Sequence, residues 1–345
     1  MNDQNSNIFQ NAGDRQIWDR RRLLQTLLAA NAGLALNGFF SGCSYGQPGA
    51  DVFIGKANDY NADITSLIRR GFHELNVSAE EIRGKRILLK ANIIEPHPGL
   101  DHIVTHPAVV MAAAEVFLAM GAAGIIIAEG SGHCRDTHMI LEESGYDYLL
   151  GNHKITFVDL NFDDWQAESN AGGKTYLQSF LLPLTLRQVD WIVSMPKLKT
   201  HRWTGVTLSM KNLFGVFPGS FYGWPKNVLH TAGIDESIID INATVRPHFA
   251  IVDGIDGMDG NGPIMGNLKK AGILVMGRNL PAVDATCARC MGVSPGKVKH
   301  LAAAASQGLG PIRESRIYQR GELWKDVRTD FQLVDFIEAH RGLRL

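Results

Sequence analysis

From Lys85 to Gly277 two kinds of apolar pattern alternate along the chain. Short runs that are apolar at nearly every position read as strands buried on both faces. They are KRILLKAN (Lys85–Asn92), GIIIAEGSG (Gly124–Gly132), KITFVDLN (Lys154–Asn161), DWIVSMP (Asp190–Pro196), HFAIVDGIDG (His248–Gly257) and GILVMG (Gly272–Gly277). Between and around them lie stretches with helical spacing. ADITSLIRRGFHELN (Ala62–Asn76) places Ile64, Leu67, Ile68 and Phe72 on one face. HPAVVMAAAEVFLAMGA is opened by Pro107 and closed at Gly121, and DTHMILEESGY has Asp136 or Thr137 as its cap. NLPAVDATCARCMG and GKVKHLAAAASQGLG both end at glycine. The alternation predicts a single α/β domain over 61–345, with a mostly parallel sheet and helices on both faces. Such sheets place their ligand crevice beyond the carboxyl ends of the strands. Asp163–Pro183 reads as an inserted hairpin, and the Gly- and Pro-containing stretch 44–60 as a tether.

The first 43 residues have a different pattern. Arg20, Arg21 and Arg22 precede a weakly apolar run from Leu23 to Phe40, then small residues and Cys43. DRRRLLQ fits a twin-arginine export signal, and FSGC has the layout of a lipoprotein cleavage box ending at Cys43. The run is interrupted by Asn31, Gly33, Asn37 and Gly38, which makes it a poor membrane span. The expectation is a periplasmic or extracytoplasmic protein that meets a membrane only through its signal or a lipid anchor at Cys43.

Composition narrows the class of ligand. The chain has 345 residues and a net charge of -1, so no global basic field attracts nucleic acid. Beyond Cys43 only Cys134, Cys287 and Cys290 remain, too few and too scattered for a disulfide framework or a Cys-only metal site. Cys287 and Cys290 sit in an apolar helical pattern and read as core.

The candidate chemistry lies at the strand ends. The first strand ends in Lys90 and Asn92, the second in Glu129 and a glycine turn, and the fourth in MPKLKTHRWTGVTLSMKNLFG (Met195–Gly215). Lys197, Lys199 and Lys211, with Lys90, Asn92 and Asn212, make a candidate anion clamp, each lysine acting as a point charge on phosphate or carboxylate. The fifth strand runs into DGIDGMDGNGP, where Asp253 and Asp256 are candidate ligands for a divalent metal such as magnesium or calcium. Asp253 is also a candidate general base and His201 a candidate acid/base group. His97, His102, His106 and His230 lie near the same tips, with His106 placed to cap a helix. P-loop, serine-hydrolase, zincin and GxGxxG dinucleotide motifs are all missing from the sequence.

In order along the chain, LLKANI, THPAVVMAAAEVFLAMGA, IAEGSG, VSMPKLKTHRWTGVTLSMKNLFGVFPG, AIVDGIDGMDGNGP and PAVDATCARCMG resemble the domain of unknown function 362 family, over roughly Lys85–Gly310. By that resemblance Lys90, Asn92, Thr105, His106, Glu129, Lys197, Lys199, His201, Lys211, Asn212, Asp253, Gly262, Pro263 and Asp284 lie on family motifs. Some members carry an appended ferredoxin-type segment. This chain has none, so no iron–sulfur cluster is expected. The family implies no general reaction.

Together these readings point to an exported enzyme acting on an anionic small molecule, with a divalent metal. The reaction is phosphoryl transfer or hydrolysis, or isomerisation of a carboxylate. The alternative is a non-catalytic binding protein using the same crevice. A third reading makes Lys197 or Lys199 a nucleophile toward a carbonyl substrate, which needs a desolvated amine of lowered pKa.

Overall fold

The computed structural model describes residues 48–151 and 154–345. The expected export signal therefore lies outside the described residues. The strands are β1 (Ala50–Lys56), β2 (Arg86–Lys90), β3 (Gly124–Glu129), β4 (Ile155–Asp159), β5 (Trp165–Ser169), β6 (Ser179–Pro183), β7 (Trp191–Ser194), β8 (Lys197–His201), β9 (Gly205–Thr207), β10 (Phe249–Asn261), β11 (Met265–Gly277) and β12 (Ile317–Gly321). The principal helices are α1 (Ile64–Glu74), α2 (Pro107–Ala119), α3 (Thr137–Glu143), α4 (Ile234–Val245), α5 (Leu280–Cys290) and α6 (Lys299–Ser306).

The main sheet runs β12-β1-β11-β10-β7-β2-β3-β4, with β8 and β9 attached to β10. From β10 to β4 every neighbouring pair is parallel. Only β11 runs against its neighbours on this path. The predicted α/β architecture is therefore present. Successive strand residues face opposite sides. Leu88, Ile192 and Val252 face one core with α4, α5 and α6, and Ile87, Leu89, Val193 and Ile251 face a second with α1 and α2.

Helix starts follow the caps written in the sequence. Asp63 accepts from Ser66 N, Asp136 from His138 N and Met139 N, Asn279 from Ala282 N, and His106 Nδ1 from Ala108 N. Asp163–Pro183 does form the expected hairpin, β5 pairing β6 antiparallel. Cys287 and Cys290 are buried in the core face of α5. No helix among the described residues is long and apolar enough to cross a membrane.

Two expectations are corrected. Residues 50–56 of the supposed tether form β1, which pairs with both β11 and β12 and buries Val52, Phe53 and Ile54 completely. The fifth strand, expected to end at Gly257, runs on as β10 to Asn261 and stays paired with β11. Its glycines make room for β8. A Cβ on Gly257 would lie 2.7 Å from Leu198 O, and one on Gly262 2.1 Å from Thr200 O.

Candidate functional site

An ammonium taken out of water needs a carboxylate or a set of acceptors around it. Two of the predicted clamp lysines have carboxylates. Lys90 Nζ, at the end of β2, lies 2.7 Å from Glu129 Oε1 at the end of β3, and both side chains are buried. The Glu129 carboxylate also accepts from Ile93 N (2.6 Å) and Gly130 N (2.8 Å). Burial lowers the Lys90 pKa, and the Glu129 charge opposes that shift. Gly215 seals this pair, since a Cβ there would sit 2.2 Å from Glu129 Oε1.

Lys197 and Asp253 form the second pair. They face each other across β8 and β10, 2.7 Å apart and fully buried. The Tyr60 hydroxyl accepts from Lys197 Nζ (2.9 Å) and lies 3.2 Å from Asp253 Oδ1, to which it donates. His106 N and Ile255 N supply two further donors to the same carboxylate. The Tyr60 ring stacks on His106 at 3.7 Å, and burial raises the Tyr60 pKa.

This geometry corrects the assignment of Asp253 as metal ligand and general base. Its oxygens are occupied by one ammonium, one phenol and two amides, and a cation would have to displace Lys197. Asp256 lies past a bulge in β10 and faces Lys270 of β11 at 3.5 Å. Among the described residues no cluster of three or more His, Cys, Asp or Glu is arranged to hold a metal. The residues present at Asp253 and Asp256 do not fit a divalent cation. Lys90 and Lys197 likewise leave the clamp, because each is neutralised by a carboxylate.

The remaining candidates do meet. Asn92, Lys199, His201, Lys211 and Asn212 line one pocket of about 290 Å³ at the carboxyl end of the parallel strands. Lys199 follows Lys197 on the same face of β8, and its Nζ donates to Ile103 O (2.8 Å) and Pro263 O (3.2 Å). Burial, then the Lys197 charge, pushes its pKa well below the usual lysine value. Lys211 lies in the helical turn Ser209–Asn212, half-buried, with Nζ 3.7 Å from the centre of the Phe214 ring. Burial and the Lys90 charge bring its pKa down to about 7.

That turn is held from below. Asp284 of α5 is fully buried and accepts from Ser209 N (2.8 Å), Met210 N (2.9 Å) and the Ser209 hydroxyl. Burial raises its pKa to about 6 against those hydrogen bonds. Asn212 Nδ2 donates to Lys90 O and Ser194 Oγ, and its Oδ1 accepts from Asn92 Nδ2 at 3.1 Å. Asn92 Oδ1 and Thr207 Oγ1 are buried at the pocket wall without a hydrogen-bond partner. Buried polar atoms are almost always paired, so both await a ligand or water.

Sequence reasoning missed the pocket residues Lys226 and Trp203, and noted His230 without giving it a role. Lys226 is buried, with its backbone in the left-handed region (φ 71°). Its Nζ donates to Asn161 Oδ1 and Ser131 O, and burial lowers its pKa to about 8. Trp203 is exposed and forms one wall with Phe214, and the His230 ring packs edge-on against both. Lys226 and His230 lie in the turn-rich stretch FYGWPKNVLHT, after the motif, where no period announced an element. Its one signal was a buried-type aromatic–Pro pair next to a lysine.

The two histidines differ in tautomer. His201 Nδ1 accepts from Trp203 N (3.1 Å) and Thr204 N (3.3 Å), so its proton sits on Nε2. Burial and the charges of Lys211 and Lys199 keep it neutral, with a pKa well below the usual value. His230 is the reverse. Its Nδ1 lies 3.1 Å from Lys226 O and must donate to it, leaving the Nε2 lone pair free. Burial and the Lys211 charge lower its pKa too. The pocket therefore holds an N–H donor at His201 and a bare nitrogen at His230.

Comparison with known proteins agrees with these motifs. A thylakoid-associated protein of Synechocystis is 28% identical over 234 residues, covering 66% of this chain and 70% of that protein. Among solved structures, the lactate racemase apoprotein of Thermoanaerobacterium thermosaccharolyticum is 13% identical with a TM-score of 0.37, covering 60% of this chain and 50% of its own. A Thermotoga maritima protein is 11% identical with a TM-score of 0.38, covering 68% of this chain and 59% of its own. This chain thus spans half to three fifths of those two structures. The model of the domain of unknown function family DUF362 matches residues 87–289, more than half of the chain, and the protein belongs to that family.

Proposed function

We propose that the pocket binds a small anionic molecule and that the protein is an enzyme acting on it. One observation carries the reading. Lys199, Lys211 and Lys226 line the same pocket, and its only carboxylate among the described lining residues, Glu129, is already taken by Lys90. Three lysines without a free counter-charge attract phosphate or carboxylate. Trp203 and Phe214 give the rest of the molecule an apolar wall, and Asn92 Oδ1 and Thr207 Oγ1 offer polar contacts. His230 Nε2 accepts a proton, while His201 Nε2–H donates a hydrogen bond to developing negative charge. This moves the proton-transfer role expected of His201 to His230.

We retain the N-terminal segment as an export signal in this reading, which places the pocket outside the cytoplasm. Cell fractionation and the mass of the mature N-terminus test that separately.

The reading is tested by thermal shift with phosphate, acetate and pyruvate against neutral isosteres. Stabilisation by the anions only, lost in Lys199→Met/Lys226→Met, is expected. Equal response to neutral molecules would overturn it. His230→Gln separates an enzyme from a binding protein. In an enzyme it removes turnover by about 10²–10⁴-fold with the anion still bound. In a binding protein it changes affinity alone.

A further inference from the structure

We infer that Lys211 is a nucleophile that forms an imine with a carbonyl substrate whose anionic group is held by Lys199 and Lys226. This rests on the pocket being an anion site and adds the substrate class: a carbonyl compound with a carboxylate or phosphate a few bonds from the carbonyl carbon.

Five lysines crowd this end of the sheet, and four have acceptors. Lys90 has Glu129 and Ala91 O. Lys197 has Asp253 and Tyr60. Lys199 has two backbone carbonyls, and Lys226 has Asn161 and a third carbonyl. Lys211 has none among the described residues, and its Nζ rests on the Phe214 ring. Acceptors consume N–H groups and hold an amine in place. An amine without them keeps its freedom to move toward a carbonyl carbon. Burial and the neighbouring Lys90 charge disfavour the ammonium, as an amine nucleophile requires.

The step balances with groups already in the pocket. The Lys211 lone pair attacks the carbonyl carbon, and the C=O π pair moves to oxygen. His230 Nε2 takes a proton from the newly cationic nitrogen. It returns that proton to the alkoxide, which gives the carbinolamine, and then relays the second N–H proton to the hydroxyl, which leaves as water as the C=N bond forms. The products are the imine and one water.

The test uses the full-length protein with sodium cyanoborohydride and three probes: pyruvate, dihydroxyacetone phosphate and acetone. Adducts are mapped by peptide mass spectrometry, and the thermal shift given by each anion is measured in parallel. A single adduct on Lys211, from one or both anionic carbonyls and not from acetone, is the expected result. The arm that reacts says whether the anion is a carboxylate or a phosphate. Lys211→Arg should abolish the adduct while the anions still raise the melting temperature. Trapping should increase as pH passes about 7, when Lys211 loses its proton, and fall above about 8, when Lys226 loses its own. An adduct on Lys199 or Lys226, a scatter over surface lysines, or no adduct from either anion despite a clear thermal shift would overturn the inference and leave the anion site standing. No thermal shift with any anion would bring down the anion site, and the inference with it.

Discussion

Two lysines one strand alternation apart, Lys197 and Lys199, have opposite roles because only one faces a carboxylate. Lys197 and Asp253 are both fully buried, so removing either leaves a bare charge in the core. Asp253→Ala should cost about 3–5 kcal/mol in urea unfolding. Lys197→Met/Asp253→Leu should recover most of that loss, because an apolar pair of similar volume needs no compensation. If the double variant is as unstable as the single one, the pair does more than neutralise itself. The pocket lysines respond instead to pH. Folding depresses the pKa of Lys211 to about 7 and of Lys226 to about 8, below the unfolded lysine value of about 10.4. The unfolded chain then binds more protons between those values, so the stability of the free protein rises with pH from about 7 upward and falls as pH drops through it. Anion affinity runs the other way. Both ammonium groups are present below about 7 and both are lost above about 8. Titration calorimetry in buffers of different ionisation enthalpy should detect proton uptake on phosphate binding near pH 8, and no uptake would contradict the clamp.

Elements reach the site through a few contacts that tie remote stretches together. Among the described residues, α5 hydrogen-bonds the Ser209–Asn212 turn through Asp284, with three donors on one buried carboxylate. Asp284→Ala leaves those donors unpaired, at about 1–3 kcal/mol for each buried group. It should weaken phosphate binding as well, because Lys211 and Asn212 ride on that turn. Stability lost with phosphate affinity unchanged would show that the turn holds its shape without α5. The positions of Lys199, Lys211, Asn92 and Asn212 at one crevice were legible before the fold was known, since parallel strands bring their carboxyl ends together. The pairing of Lys90 with Glu129 and of Lys197 with Asp253 was not. It depends on strand order and register, which apolar runs do not encode. The continuation of β10 past Gly257 was hidden for a related reason. Glycine reads locally as a turn, and here it serves the close approach of β8 to β10, a contact between segments some sixty residues apart.

At the scale of the whole molecule, the least legible element is also a central one. β1 lies in a stretch whose Gly and Pro suggest a linker, yet it sits between β11 and β12 in the sheet. Its role appears only once its neighbours exist, because both partners come from the far end of the chain. Val52, Phe53 and Ile54 are completely buried, and burying each such side chain is worth about 1.5–3 kcal/mol. Their sum is comparable with the whole stability of an ordinary domain, about 5–15 kcal/mol. β12 pairs with no other strand of the path, so losing β1 also releases the C-terminal edge. Residues Gln47–Leu345 form a compact unit that contains β1 and both cores. A chain beginning at Gln47 should therefore unfold cooperatively, with phosphate stabilising it as it does the full-length protein. A chain beginning at Ala57 should be unfolded or aggregated, although it keeps every residue of the pocket. Circular dichroism and thermal melts of the two chains decide the matter. Equal melting temperatures would return 44–60 to the role of a tether, and failure of both would mean that the first 46 residues take part in the fold.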